Sequence, residues 1–440
     1  MTGWLIFGLC LALLAVGEYL FVVIGIATVL CVAFVQTGGV QTGIASDLFS
    51  AVDKEVLLAI PFFIVAGGLI TRGQIAARLV ELAKALLGWI PGGLALTAVL
   101  ACMFFAAISG SSPVTLIAIG SMLYPSMIKE GYPERFNIGL LSTGGTLGII
   151  IPPSIPMIVY AIMVGESLKG IDSEVEMTKL SVTNLFIAGV GPGLLLGGLL
   201  MVYAFLTCFR MNLPRMPFSL RSVGVALYRG IWALLLPVVI LGGIYLGYFT
   251  ATESAAAAVV YALFVELVFH RELKLRQVPD VLLEAAELMG QLFPILVLAY
   301  SFNLFLTFES VPEAAAEWLQ GVVSSKVSFL ILANLFLLVV GCLMDIMSAI
   351  LIFAPLLAPM VAQYGIDPVH FGIIFIVNLE IGYLTPPMGI NLFVASGLFK
   401  KPLIEVVKAV FPFIMLYLLG LALVTYFPWI SLALVHAMGK

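Results

Sequence analysis

Residues 144–156 read GGTLGIIIPPSIP, and the apolar run continues through residues 157–164 as MIVYAIMV. Pro152 and Pro153 stand together in the middle of a stretch long enough to cross a bilayer. A proline has no amide hydrogen and its ring clashes with the carbonyl one turn back, so a smooth helix does not pass through this pair. The stretch therefore predicts two helical pieces joined by an unwound break.

Composition says where that break lies. Of 440 residues, 62% are hydrophobic and 10% are charged. A soluble domain carries about 25% charged residues, so this chain cannot cover a water-facing surface. Apolar runs of membrane-spanning length recur from end to end, and lipid admits only helices or closed barrels. Runs such as 194–205 and 414–426 are continuously apolar rather than alternating, which selects helices. The expectation is a polytopic all-α membrane protein.

The first apolar block, Trp4–Val35, exceeds one crossing and reads as two short segments or one strongly tilted helix. It has no basic leader and no small-residue cleavage site, so it is expected to stay as membrane helix. A span begins at Pro61. Beyond it Ile75, Leu79, Leu82 and Leu86 recur at helical spacing, which predicts an amphipathic helix at the interface or in a cytosolic loop. Further apolar segments fall near 94–127, 136–164, 185–209, 231–250, 254–269, 291–308, 327–360, 371–398 and 410–436. Two are interrupted by polar, glycine-containing residues: 109–113 (SGSSP) and 341–348 (GCLMDIMS). Each interruption reads as two helices in series or as a re-entrant hairpin with its tip inside protein. The stretch 210–229 holds Arg210, Arg215, Arg221 and Arg229 without an acid, which assigns it to the cytoplasm.

The break at 152–153 is repeated. Pro125, Gly131, Gly148, Pro152 and Pro153 match Pro359, Gly365, Gly382, Pro386 and Pro387, each 234 residues later, and GIIIPP and GYLTPP share the form G-x-x-x-P-P. Pro61 and Pro294 begin similar segments, PFFIVAGGLI and PILVLAYSFN. Paired interruptions in two halves are the pattern of a secondary transporter whose discontinuous helices meet near the bilayer midplane. An inverted arrangement of the halves is common in transporters, though spacing alone leaves it open.

A broken helix exposes carbonyls on one side and amides on the other; the first suit Na+, the second an anionic group. In the simplest packing each hairpin tip faces the break of its own half. Ser109, Gly110, Ser111 and Ser112 then meet Thr143, Gly144, Gly145 and Pro152, while Gly341, Asp345 and Ser348 meet Gly382, Thr385, Pro386 and Met388. Hydroxyls and carbonyls are hard ligands, apt for Na+. Asp345 stands out because a carboxylate inside an apolar block needs a cation or polar partner; the plain alternatives are packing serines and a charge at a helix end. Asn378, Glu380 and Asn391 flank the second break and can touch substrate or orient backbone. Thr250, Thr252 and Glu253 suit a loop or helix cap, and Glu18 an interface. The five cysteines lack a CxxC pairing, and His270, His370 and His436 do not cluster, so no metal centre is expected. No H-E-x-x-H, G-x-S-x-G or Walker sequence points to an enzyme, and no basic patch interleaved with aromatics points to nucleic acid.

The stretches 106–136 (AAISGSSPVTLIAIGSMLYPSMIKEGYPERF), 144–167 (GGTLGIIIPPSIPMIVYAIMVGES) and 380–397 (EIGYLTPPMGINLFVASG) resemble the large membrane subunit of tripartite ATP-independent periplasmic (TRAP) transporters, and the likeness runs over nearly the whole chain. The resemblance implies a multi-pass subunit of a bacterial or archaeal inner membrane that imports organic acids, such as dicarboxylates, keto acids or sialic acid, with Na+. It implies two partners: a periplasmic binding protein and a small four-helix membrane subunit, expected here as a separate chain. It also implies an elevator-type fold.

On that pattern, residues 1–60 and 185–290 are scaffold, the latter including the basic loop 210–229. Residues 61–184 are a first repeat with arm helix, hairpin (94–127) and broken helix (136–164). Residues 291–409 are a second repeat with hairpin (327–360) and broken helix (371–398), and 410–440 form a C-terminal helix. The Na+ ligands then fall among Ser109, Gly110, Ser111, Ser112, Gly144, Gly145 and Pro152, and among Gly341, Asp345, Gly382, Thr385, Pro386 and Met388. Two or more Na+ sites and no organic cofactor are implied. Thr143, Ser154, Ser348, Asn378 and Asn391 are the substrate candidates, and Pro152, Pro153, Pro386 and Pro387 the helix breaks. The rival expectations are a stand-alone Na+/carboxylate or Na+/H+ transporter of related fold and, more distantly, an intramembrane enzyme.

Overall fold

The computed structural model describes residues 20–34, 53–168, 178–209, 216–271, 273–309 and 325–438, with single positions between them. The start of the first apolar block with Glu18, and Arg210 and Arg215 of the basic stretch, lie outside the described residues. Among those described, eight helices are long and apolar enough to cross a membrane, or nine counting one bent pair as a single span.

α1 (Leu20–Phe34) precedes α2 (Ala59–Arg72) and the arm helix α3 (Ile75–Leu87). The first hairpin is α4 (Gly93–Ser109) and α5 (Ser112–Lys129), and the first broken helix is α6 (Glu134–Ile150) and α7 (Ile155–Ser167). Four long helices follow: α8 (Val182–Phe209), α9 (Leu220–Tyr245), α10 (Ala251–Phe264) and α11 (Val278–Phe308). The second hairpin is α12 (Lys326–Leu343) and α13 (Ile346–Gln363), and the second broken helix α14 (Pro368–Gly382) and α15 (Ile390–Phe399). α16 (Leu403–Tyr426) and α17 (Trp429–Ala437) close the chain.

These helices pack as two groups. The hairpins and broken helices interleave with α8, α16 and α17; the other group holds α1, α2 and α9 to α11. α8 was expected among the middle helices, yet it packs chiefly on α4, α6, α14, α16 and α17. Its glycines explain the change: Gly191 lies against the backbone of Ile430, Gly193 against Ile151 and Gly197 against Met103. Small residues let a membrane helix seat this closely.

The arm helix α3 joins the groups, packing on α4 and α9 with Ile75, Leu79 and Leu82 buried. Its first turn is held by the fully buried Glu266, whose Oε1 accepts from Gln74 N and Ile75 N at 3.1 Å each. A carboxylate there complements the helix dipole. α9 begins at Leu220, so Arg221 and Arg229 are helical and the basic loop ends at the Ser219 cap, short of the expected 229. Thr250 and Glu253 form a capping box at α10, and the Thr252 hydroxyl donates to Glu55 O at 3.1 Å, in keeping with the cap expectation.

The two broken helices run in opposite directions: Lys401, just past α15, pairs with Glu134 at the start of α6, and Pro368 O at the start of α14 accepts from the Tyr160 hydroxyl of α7 at 3.3 Å. α4 starts beside the arm and α5 returns towards it. α12 starts at the far end, where Lys326 Nζ donates to Gly365 O just beyond α13, at 3.1 Å. Matching glycines, Gly131 and Gly365, close the two hairpins with φ of 85° and 61°. Arg78, Lys84, Arg221, Arg229 and Arg271 gather at the arm end, which makes it the cytoplasmic end.

Candidate functional site

The first break follows from its prolines. Ile151, before Pro152, is extended at ψ 122° and ends α6; α7 resumes at Ile155, and the two pieces differ in direction by 42°. The second break runs from Tyr383 to Gly389. In both, the bond joining the two prolines is cis.

Each hairpin tip meets the break of its own half. Gly110 turns the first tip with φ 59°, and a Cβ there would lie 2.9 Å from Pro153 O. Gly148 lets the backbones touch from the other side, since its Cβ would sit 2.5 Å from both Ser111 O and Thr115 Oγ1. The tip is internally bonded: Ser109 Oγ and Thr115 Oγ1 are 2.8 Å apart, and Thr115 Oγ1 donates to Ser111 O at 2.8 Å. In the second half Gly341 and Gly382 touch backbone to backbone, Met388 N donates to Cys342 O at 3.0 Å, and Ile346 N donates to Tyr383 Oη at 3.3 Å. Asp345 caps α13, accepting from Ser348 N at 3.0 Å and from the Ser348 hydroxyl. It occupies the repeat position of Ser111, which precedes α5 in the same way.

Of the other expected residues, some lie away from the tips, whereas Ser154 lies against Gly110 and Asn391 reaches Ser112. Thr143, Gly144 and Gly145 lie below the tip: Gly144 faces Cys102, Gly145 faces Leu116, and Thr143 O accepts from the Thr146 and Tyr417 hydroxyls. Asn378 points away from the break, donating to Asn334 Oδ1 at 2.6 Å and Ile374 O at 2.8 Å. Thr385 stays near its helix, its hydroxyl donating to Ile381 O at 2.9 Å. Ser154 is fully buried and its hydroxyl has no partner among the described residues. Asn391 crosses between halves, donating to Ser112 Oγ at 2.5 Å while its own Oδ1 is unpartnered.

Several residues escaped the sequence reading. Thr115 could have been found one helical turn after Ser111. Thr146 escaped too: it stands 234 residues, the repeat offset, before Glu380, already singled out beside the second break, and lies next to that fully buried side chain. Tyr417 from α16 completes that contact, 3.3 Å from Thr146 Oγ1. At the cytoplasmic end Lys401 Nζ pairs with Glu134 at 2.8 Å, and that carboxylate holds the ammonium above its usual pKa.

A cavity of about 440 Å³ opens where the tips face the other helix group. Ser109 to Val114 and Ile155 and Pro156 line one side, and Ile346, Met347 and Tyr383 close it. Thr71 and Arg72 of α2 and Glu284 of α11 line the opposite wall. The N-termini of α5, α7 and α13 thus converge on one space. The positive ends of the α5 and α7 dipoles favour a negative guest, whereas at α13 the Ile346 amide is already donated to Tyr383 and the Asp345 carboxylate caps the end. A larger cavity, about 560 Å³, lies at the periplasmic end between Lys54, Leu180 and Thr250 and touches neither tip.

Paired hairpins and broken helices around a shared cavity define a secondary transporter of the helical membrane class. The chain belongs to the tripartite ATP-independent periplasmic transporter family, DctM component, whose model matches residues 7–430. It is therefore a transporter permease subunit of the inner membrane rather than an enzyme. It is 43% identical over 441 residues to the C4-dicarboxylate TRAP transporter large permease protein DctM of Rhodobacter capsulatus, covering all of both chains. It is 46% identical over 397 residues to the protein of that name from Pseudomonas aeruginosa, covering 90% of each. In fold it is similar to the crystal structure of the Alcanivorax borkumensis YdaH transporter, with a TM-score of 0.65 over 98% of each chain at 16% identity.

Proposed function

We propose that this subunit imports organic acid anions of the C4-dicarboxylate class in symport with Na+. The convergence of the α5 and α7 N-termini on one cavity with Arg72, whose guanidinium fork matches a carboxylate, carries the reading. Na+ is held where tip meets break, by carbonyl and hydroxyl oxygens of 109–112 with 148–153 in one half and of 341–345 with 382–388 in the other. Those hard oxygens suit an alkali cation. The hairpins, broken helices, α8, α16 and α17 move as a body against α2 and α9 to α11, in the manner of an elevator. The substrate arrives on a periplasmic binding protein, and a separate small four-helix membrane subunit completes the permease.

Uptake by proteoliposomes holding the two membrane subunits tests the reading. Succinate uptake should require both a Na+ gradient and added binding protein. Equal uptake without the binding protein would instead favour a stand-alone Na+/carboxylate carrier.

A further inference from the structure

The cavity wall contains two charged side chains among the described residues, Arg72 and Glu284, and they are bonded to each other. Arg72 Nη2 donates to Glu284 Oε1, and Arg72 Nη1 lies 3.6 Å from Asp280 Oδ2. All three sit on α2 and α11, across from the tips.

Two facts about this pair bear on substrate binding. A guanidinium presents a rigid fork that matches a carboxylate, which is the chemistry of an organic acid. The same fork is already occupied by a carboxylate of the protein, and that carboxylate lines the space a substrate enters. A diacid has one end for the helix N-termini and one for a cation on the opposite wall. Glu284 occupies the place of that second end.

We propose that Arg72 binds one carboxylate of the transported diacid and that Glu284 is its internal stand-in, holding the guanidinium when the cavity is empty. The assignment rests on the reading of the cavity as an organic-anion site. Entry of substrate exchanges one carboxylate for another, so Arg72 keeps a partner throughout, and the freed Glu284, already 60% exposed, is left to water. As the tips carry the substrate away from the α2–α11 wall, Glu284 retakes Arg72 and helps release. The contact is local to side chains and needs no movement of α2 or α11.

The test is succinate binding to the purified two-subunit permease, read as the concentration giving half-maximal thermal stabilisation, together with uptake in proteoliposomes. Arg72→Gln should raise that concentration on the order of tenfold or more, the loss of a charged hydrogen-bonded contact. Arg72→Lys should fall between, keeping the charge without the fork. Glu284→Gln should move it the other way, tightening succinate roughly threefold, because the competitor is gone. A pair that only ties α2 to α11 predicts the same direction of change in both variants, with a lower melting temperature before ligand is added. Weaker binding in Glu284→Gln, or unchanged binding in Arg72→Gln, overturns the assignment while leaving the function standing. Neither binding nor uptake of succinate, fumarate or malate by the unaltered permease overturns the organic-anion reading and this assignment with it.

Discussion

The two breaks share a motif and differ in surroundings. Pro152, Pro153 and Ser154 are buried, and residues on both sides of this break line the cavity. Pro386, Pro387 and Met388 are exposed, and from that break only Tyr383 reaches the cavity. The first is covered by α8, whose Gly193 lies on Ile151, and by Gly110 at the tip. The second is touched by its own hairpin through Gly341 and Cys342, with its prolines outside that contact. A shared diproline motif thus yields one enclosed break beside the cavity and one exposed break.

The comparison is most exposed to test at the prolines. Replacing Pro152 and Pro153 together by alanine should permit a continuous helix through a buried site and cut uptake at least tenfold, measured in proteoliposomes. The Pro386→Ala, Pro387→Ala pair should also impair uptake but chiefly by weakening the dependence on Na+. Equal Na+ activation curves for the two double variants would leave the two breaks alike in function.

Glycines at matching positions sharpen the point. Gly148→Ala drives a methyl into Ser111 O and Thr115 Oγ1, and should cost about 1–3 kcal/mol, seen as a lower unfolding midpoint in detergent. Gly382→Ala strikes the backbone of Gly341 and should cost a similar amount. If Gly148→Ala proves neutral, the first tip is not seated on its break as described.

Asp345→Asn retains a capping side chain, so stability should change by less than about 1 kcal/mol. Its Na+ activation curve for uptake should shift to higher Na+; an unmoved curve would leave Asp345 as a helix cap alone. Smallest of all, Tyr417→Phe removes the hydroxyl shared with Thr143 and Thr146 and should cost about 1 kcal/mol without altering the Na+ curve.

Much of this architecture is readable along the chain because its signals are local. A diproline ends a helix wherever it occurs, SGSSP interrupts an apolar run, and a constant offset declares a repeat. The amphipathic spacing of α3 and the capping box at Thr250 are local too. Readings that required a partner from elsewhere fared differently. Thr143, Gly144 and Gly145 were paired with the tip by proximity in sequence to Pro152, yet one to two helical turns carry them down to Cys102, Leu116 and Tyr417. Asn378 flanks the break in sequence but faces Asn334, because its position on α14 turns it to another side.

Sequence by itself determined that this is a helical membrane protein with two interrupted spans and two broken helices in repeated halves. Proline geometry and the cost of burying backbone in lipid act over a few residues, so no tertiary knowledge is needed for that much. Only the folded structure decided that the two broken helices run antiparallel, that α8 joins the hairpins, that Thr146 meets Glu380, and that Arg72 faces the tips. Arg72 at the end of an apolar run reads as an ordinary interfacial anchor. Its place in the cavity depends on how α2 and α11 pack against a hairpin that begins some twenty residues later and a second one that lies far along the chain. Packing brings such distant residues together, and no periodicity or spacing within one segment encodes it.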